Sequence, residues 1–431
     1  VKQTDRPLKG AWGITALLFL FMLINFADKV IVGLAAKPIM EELKLTPEQF
    51  GLVGSSFFFL FAVSAVVVGF ISNRVQTRHT LLIMAIVWSL VQFPMLGTVS
   101  LELLIACRII LGAGEGPAGP VATHAVYKWF PDHLRGLPTA LIAQGSAMGV
   151  IVAVPALNWI IINYSWHWAF GALGVIGLLW AVLWLLFGRE GTLVDPPVGD
   201  AASGAERVPY RYLLTCPSIM AVCCAGFASY WGLALGLTWF TSYLIDGLGF
   251  SQKVGGNLFI LPWIFGMVVV LTGGWASQRL KMRGASSRLS RGALASATVL
   301  LGGCIVPFIG AMPSNELKVA LLVVGPAIGS TIYVVIPMIV SELTPQSQRA
   351  AMLAIVISIM TSAGVIAPFA MGAVIQNAAT PLQGYEQGFV VLGILLLAGG
   401  LIGLLFIRPE ADRRRLAART VIAQPLQPAR A

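Results

Sequence analysis

Four charged side chains stand inside runs of otherwise apolar residues: Asp28 and Lys29, then Arg108 and Glu115. A charge at the centre of a hydrocarbon layer costs about 2.5–3.5 kcal/mol even on the lenient insertion scale, so such residues usually mark function. Arg108 and Glu115 are seven positions apart, about two helical turns, and share one helix face. Asp28 and Lys29 are neighbours and point about 100° apart, so one can face a cavity while the other reaches an adjacent helix. The chemistry on offer is two acids that carry protons and two bases that hold an anion. With all four ionised the cluster is neutral. Protonation of Asp28 and Glu115 leaves two positive charges, and Lys29 and Arg108 are then free to hold a carboxylate, Arg108 in bidentate fashion. Burial favours the neutral carboxyl and nearby cations favour the ionised one, which is how an acid becomes poised to titrate. Proton uptake and anion binding would favour each other. The alternative is a set of structural ion pairs holding helices together.

The elements that position these charges follow from composition. The chain has 431 residues, 57% hydrophobic and 11% charged, with a mean hydropathy of +0.85. A soluble globular protein carries about 25% charged residues. Apolar blocks fall near 11–35, 49–72, 79–98, 101–127, 136–162, 166–188, 213–244, 254–280, 292–312, 317–341, 350–376 and 386–408. Each is about as long as a helix needs to cross a bilayer. Only helices and closed barrels span lipid, and the blocks lack the period-two alternation of a barrel. The expected fold is an all-α membrane protein with twelve transmembrane helices in two pseudo-symmetric six-helix bundles. Its parts are a first bundle at 1–188, a cytoplasmic linker at 189–212, a second bundle at 213–408 and a solvated cytoplasmic tail at 409–431. No cleavable signal peptide is expected, because the first apolar block is too long for a signal core; an initiator residue or short leader is expected ahead of Val1. The five cysteines (Cys107, Cys216, Cys223, Cys224 and Cys304) match no metal pattern and are expected to be small buried thiols.

Charge asymmetry sets orientation. With the N-terminus placed in the cytoplasm, that side takes Lys2, Arg6, Lys9, Arg74, Arg78, Lys128, Arg135, Arg189, Arg207, Arg211, Arg279, Lys281, Arg283, Arg288, Arg291, Arg349 and the tail arginines. The outer loops keep Lys37, Lys44, Lys253 and Lys318. This positive-inside bias places both termini in the cytoplasm. It also accounts for the net charge of +10 through loops facing anionic lipid, without nucleic acid.

The halves echo each other. Gly69 precedes Arg74 by five residues at the end of the second helix, and Gly274 precedes Arg279 by five at the end of the eighth. Pro131 and Arg135 before the fifth helix match Pro345 and Arg349 before the eleventh. Such repeats mark a transporter with its site near the midplane. Around Glu115 the fourth helix reads Gly112-Ala-Gly-Glu-Gly-Pro-Ala-Gly-Pro120. Its small residues let backbones approach closely, and its prolines loosen the helix.

At these residues the chain resembles the major facilitator superfamily. Gly69 to Arg78 resembles the signature loop between the second and third helices, with Asn73 in place of the usual acid and Gln76 in place of a usual glycine. Within the superfamily the chain is similar to the anion:cation symporter group, which includes bacterial hexuronate, galactonate, glucarate and phthalate permeases. That likeness rests on Asn25-Phe-Ala-Asp28-Lys29, on Arg108 and Glu115-Gly116, on Leu237 to Leu244 and on Leu261-Pro262-Trp263. The resemblance implies that Asp28 and Glu115 carry protons and that Lys29 and Arg108 bind substrate. Most members have Arg where this chain has Lys29, which keeps the charge but loses the planar fork. Sugar-acid members often have Tyr where this chain has Phe61, which suggests a less hydroxylated acid, aromatic or short aliphatic. It further implies conformational gating by Gly69, Asn73, Arg74, Arg78, Arg135, Gly274, Arg279 and Arg349.

Gln144 and Ser146 are further candidates for substrate contact, with interhelical hydrogen bonding as their alternative. Tyr230, Trp231, Ser358 and Thr361 are candidates for an opposite wall, with packing as theirs. His124 and His167 are expected at interfaces rather than in a proton relay. The expected function is proton-coupled uptake of a small organic anion, a sugar acid or other carboxylate, by alternating access in a bacterial inner membrane. The expected partners are that anion, protons and lipid, with the chain a monomer, the proton gradient as driving force and no cofactor. No phosphate loop ending in Gly-Lys-Ser/Thr is present. The first rival is a proton-driven exporter of the same fold, a drug or metabolite antiporter, which cations in the cavity oppose. The second, a membrane enzyme or sensor, lacks a metal-ligand spacing and a nucleophile–base set.

Overall fold

The computed structural model of the chain describes residues 6–72, 75–193, 208–345 and 348–423. Asn73 and Arg74, most of the expected linker and the end of the tail lie outside the described residues. Among the described residues the chain is helical and has no strand. Each backbone N–H and C=O in hydrocarbon must be satisfied within its own segment, and a helix does this alone.

In chain order, α1 is Ala11–Leu34, α2 Pro47–Gly69 and α3 Thr77–Leu96. Helix α4 runs Leu101–Glu115 and resumes as Ala118–Tyr127. Then come α5 Gly136–Asn163 and α6 Trp166–Phe187. The second half has α7 Pro217–Gly247, α8 Gln252–Met282, α9 Arg288–Ala311, α10 Asn315–Leu343, α11 Ala351–Asn377 and α12 Pro381–Phe406. All except α4 are long and apolar enough to cross a membrane by length and composition. In α4 the charges, glycines and prolines lower the hydropathy, which is the cost of housing a polar site. The fold is the expected twelve-helix membrane protein with two six-helix bundles. Leu179, Leu186, Trp168 and Ile394 are each more than half exposed, as side chains facing lipid must be.

By packing, the described residues form two units. The first takes in Val1–Pro197, Trp231–Ile264 and Thr361–Gly388; the second takes in Val198–Tyr230, Phe265–Met360 and Phe389–Ala431. The sequence halves follow the chain, whereas these units cut across α7, α8, α11 and α12. Within the first unit, helices of the first half meet the ends of α7 and α11 that lie away from the termini. A Cβ on Gly33 would strike the Leu237 carbonyl, and one on Gly51 would strike that of Pro368. The Phe369 amide donates to Ser55 Oγ at 3.1 Å, and Trp239 Nε1 donates to the Pro368 carbonyl at 2.9 Å.

Two helix starts show how the repeat extends beyond the loop motifs. At the start of α3, Glu190 accepts from the Thr77 amide at 3.2 Å and the Arg78 amide at 2.8 Å. At the start of α9, Glu410 accepts from the amides of Ser287 and Arg288. Orphan N–H groups of a first turn want a negative partner, and each half supplies one from just beyond its last helix. The start of the tail, Pro409–Ala423, is a helix, and its buried Asp412 accepts from the Ser218 amide and hydroxyl at 3.0 and 2.6 Å. One expectation is corrected here: not all the thiols are buried. Cys107, Cys216 and Cys223 are, but Cys224 and Cys304 are exposed, because they fall on helix faces that no neighbour covers.

Candidate functional site

The four charges do gather, and all four belong to the first packing unit. Asp28 is 0% exposed, Lys29 8%, Arg108 5% and Glu115 1%. α1 is unbroken through Asp28 and Lys29, so the two side chains diverge as their spacing requires. Asp28 turns to α3, where Gln92 Nε2 donates to its Oδ1 at 2.8 Å. Lys29 turns to α4, with its Nζ 3.5 Å from Glu115 Oε2. The same ammonium donates to Asn25 Oδ1 at 2.5 Å, one turn back on α1.

Glu115 is the last residue before α4 breaks at Gly116 and Pro117. Proline lacks the N–H that would continue the ladder. The break therefore follows from the run of small residues and prolines, as expected. Those small residues also bring α4 against α2. A Cβ on Gly112 would collide with the Phe57 carbonyl, and one on Gly116 with that of Phe61. Close backbone approach is what sets Arg108 and Glu115 beside the α2 rings.

Arg108 behaves differently from Lys29. It makes no ion pair with either acid among the described residues. Its guanidinium lies over the Phe57 ring at 4.6 Å, and its Nε and Nη1 are buried without a hydrogen-bond partner. Asp28 Oδ2, both oxygens of Glu115 and Asn25 Nδ2 also lack hydrogen-bond partners. Buried polar groups are normally satisfied, so a concentration of open donors and acceptors needs a reason. Lys29 Nζ sits 4.2 Å from the centre of the Phe26 ring and 5.4 Å from that of Phe61. The site thus has acceptors that can take protons, donors that can take an anion, and aromatic rings against both cations.

Of the other candidates, Gln144 and Ser146 are half-buried on α5. Trp231 and Thr361 are buried, and Tyr230 and Ser358 are half-buried; Tyr230 and Ser358 belong to the second packing unit and Trp231 and Thr361 to the first. At the loops, Arg135 donates from Nε to the Phe130 carbonyl at 3.0 Å, and Arg349 from Nε to the Thr344 carbonyl at 3.3 Å. Each reaches five residues back, so the Pro-to-Arg repeat is a repeat of geometry. Arg78 donates to the Leu185 carbonyl at 3.1 Å, and Arg279 lies 5.5 Å over the Trp275 ring. A Cβ at Gly69 would meet nothing, and one at Gly274 would touch Val334 at 3.5 Å. His167 is held between Glu42 Oε1 at 2.9 Å and the Met95 carbonyl, far along the chain from the charge cluster.

Sequence reasoning missed Gln92 and Glu190. Gln92 is one polar residue at the end of a helix, and only packing against α1 reveals its partner. Glu190 had a signal: Arg189-Glu190 and Pro409-Glu410 each follow an apolar block closely. Burial by itself would raise the Glu190 carboxyl, but Lys128, the Arg78 amide and Thr77 outweigh it and hold it below the ordinary 4.5. Among the described residues, no group of His, Cys, Asp and Glu is placed to hold a metal ion.

The pattern of the Major Facilitator Superfamily matches residues 18–329. A hexuronate transporter of Bacillus subtilis is 27% identical over 408 residues, covering 92% of this chain and 95% of the relative. A D-galactonate transporter of Escherichia coli is 28% identical over 334 residues, 72% of this chain and 76% of its own. In fold, the chain is similar to the crystal structure of a bacterial homologue of the human lysosomal transporter Spinster, with a TM-score of 0.77, 18% identity, and coverage of 98% and 100% of the two chains. A helical membrane chain with buried charges on its first and fourth helices, aligned over nearly its whole length with transporters, is not an enzyme: it belongs to the Major Facilitator Superfamily, and the relatives it resembles include transporters named for hexuronate and D-galactonate.

Proposed function

We propose that this protein takes up a small organic anion, a sugar acid or another carboxylate, in symport with protons. The observation that carries this reading is buried Arg108, whose Nε and Nη1 have no hydrogen-bond partner and which shares a helix with Glu115. Open guanidinium donors in a low-dielectric site suit a carboxylate. The naming of relatives as hexuronate and D-galactonate transporters supports the same class of cargo.

In this reading Asp28 and Glu115 carry the protons, and Lys29 and Arg108 hold the anion. While Glu115 is ionised, Lys29 is committed to it. A proton on Glu115 removes that attraction and releases the ammonium. Gln92 holds Asp28 by one oxygen and leaves the other for a proton. Proton and anion then bind with positive coupling, which is what symport demands. Gln144, Ser146, Trp231 and Thr361, which share the packing unit of the four charges, are the further substrate contacts. The bundles at 1–188 and 213–408, joined by the linker at 189–212, rock about the site. Gly69, Asn73, Arg74, Arg78, Arg135, Gly274, Arg279 and Arg349 act at the cytoplasmic gate. The chain works as a monomer in a bacterial inner membrane, with both termini and the tail at 409–431 in the cytoplasm. It is driven by the proton gradient and uses no cofactor.

The test is Glu115→Gln in proteoliposomes. Exchange of labelled substrate across the membrane should persist. Accumulation under a one-unit pH gradient, about tenfold per coupled proton for the parent, should fall toward no accumulation. Accumulation at the parental level would remove Glu115 from the proton path.

A further inference from the structure

A second group of titratable side chains stands in the first packing unit, at the helix ends away from the termini. His167 opens α6 and is half-buried. Its Nδ1 lies 2.5 Å from the Met95 carbonyl at the end of α3. Its Nε2 lies 2.9 Å from Glu42 Oε1, on the short helix Ala36–Leu43 between α1 and α2. Trp166 completes the group. Its Nε1 donates to the other Glu42 oxygen at 2.7 Å, and its ring stacks on the imidazole with centres 3.8 Å apart and 26° between planes.

Both partners of the imidazole are acceptors. A neutral ring has one N–H and one lone pair. With Nδ1–H on the Met95 carbonyl, the Nε2 lone pair would face an ionised carboxylate, and that contact would repel. It closes when one proton sits between Nε2 and Oε1. The pair therefore binds one more proton together than a neutral imidazole and a free carboxylate bind apart. The stacked indole face favours the imidazolium. No other charge on the neighbouring helices competes. α5, α6 itself, α1 beyond Lys29 and α3 beyond His79 carry no charged residue. On the short helix, Lys37 is 3.9 Å from Glu41 and 3.3 Å from Asp246. Lys44, Glu102 and Tyr164, at the nearby helix ends, are exposed, and the Glu48 amide turns to Gln376.

We infer that His167 and Glu42 form a proton-dependent latch, which pins the short helix to the ends of α3 and α6 while the pair holds its proton and lets it go as pH rises. Imidazole changes charge between about pH 5 and 8, so the latch works in the physiological range. The pinned helix also carries Lys37 and presents it to Asp246 at the end of α7. Release of the latch loosens that ion pair as well. External conditions thus act on this end of the molecule without passing through Asp28 or Glu115, whichever anion is carried.

The experiment is hydrogen exchange on purified full-length protein in detergent, with protection corrected for the intrinsic pH dependence of exchange. Between about pH 5.5 and pH 8, protection of residues 36–43 and 243–247 should fall about tenfold, the worth of one charge-assisted hydrogen bond. Glu42→Gln should keep protection high at the alkaline end. Its amide N–H donates to the Nε2 of a neutral ring, and its amide oxygen still accepts from Trp166. Glu42 is exposed, so this variant leaves the packing intact. His167→Gln should give low protection throughout, because one of the two acceptors would then meet an oxygen. Parental protection that stays level across this range overturns the latch, as does a Glu42→Gln protein no better protected than the parent at the alkaline end.

Discussion

At the scale of single residues, Arg108 separates the two meanings of the buried charges. A guanidinium that only braced the bundle would be paired; this one lies over a ring with two donors open. Charge-assisted hydrogen bonds contribute about 1.5–3 kcal/mol each, or roughly tenfold to hundredfold in affinity. Arg108→Ala should therefore abolish measurable anion binding, and Arg108→Lys should retain part of it, since charge survives and the fork does not. The measurement is isothermal titration of purified protein against the tightest acid found. Unchanged affinity in the alanine variant would favour a bracing role. Lys29 is the more constrained cation, shared between Asn25 and Glu115.

At the scale of elements, two features of the helices carry consequences that a site-centred view omits. The first is the contact of α4 with α2. Gly112 faces the Phe57 carbonyl with no room for a Cβ, whereas Gly119 meets nothing within 4 Å. Overpacking costs about 1–3 kcal/mol, so Gly112→Ala should lower the melting temperature in detergent and impair binding. Gly119→Ala should do neither; equal effects of the two would contradict the close approach. The second feature is the capping carboxylate Glu190. Its carboxyl is held below the ordinary 4.5, so it is more acidic folded than unfolded. The stability it contributes is complete above about 4.5 and fades as pH falls below that value. Glu190→Gln should therefore lower the melting temperature most near neutral pH, and the gap to the parent should close on acidification. A gap that stays constant from pH 7 to about pH 3.5 would show that charge is not what Glu190 supplies.

At the scale of the whole molecule, the first packing unit joins the first half to parts of the second on the side away from the termini. Asn158 on α5 donates to Asn257 Oδ1 at 3.1 Å and accepts from Gln252 Nε2 at 3.1 Å. Gln252 also donates to the Leu34 carbonyl at 3.1 Å, and Lys37 pairs with Asp246 at 3.3 Å. In an alternating-access cycle these bonds must break each time that side opens. Each contributes about 0.5–1.5 kcal/mol, up to about tenfold in a population ratio. Asn158→Leu should shift the population toward an arrangement opened on that side. Spin labels at Asn163 and Asn377 would report it as growth of a longer distance component. An unchanged distribution would mean that the Asn158 cluster does not hold that side shut.

What the sequence determined by itself was whatever lipid dictates locally. Hydrocarbon forbids unsatisfied backbone and penalises charge, so long apolar blocks had to be helices, and Asp28, Lys29, Arg108 and Glu115 had to be exceptions with a purpose. The run around Gly112 and Pro117 foretold both the close approach and the break in α4, because glycine and proline act through the backbone they sit in. Partner choice was another matter. That Lys29 turns to Glu115 while Arg108 lies over Phe57, and that Gln92 holds Asp28, depends on helix rotation and depth, which residue spacing along one helix does not specify. The ring of Phe26 could equally have faced lipid. Only tertiary packing placed it between the ammonium of Lys29 and the edge of Trp263, and so turned four buried charges into two cations lined by aromatic rings.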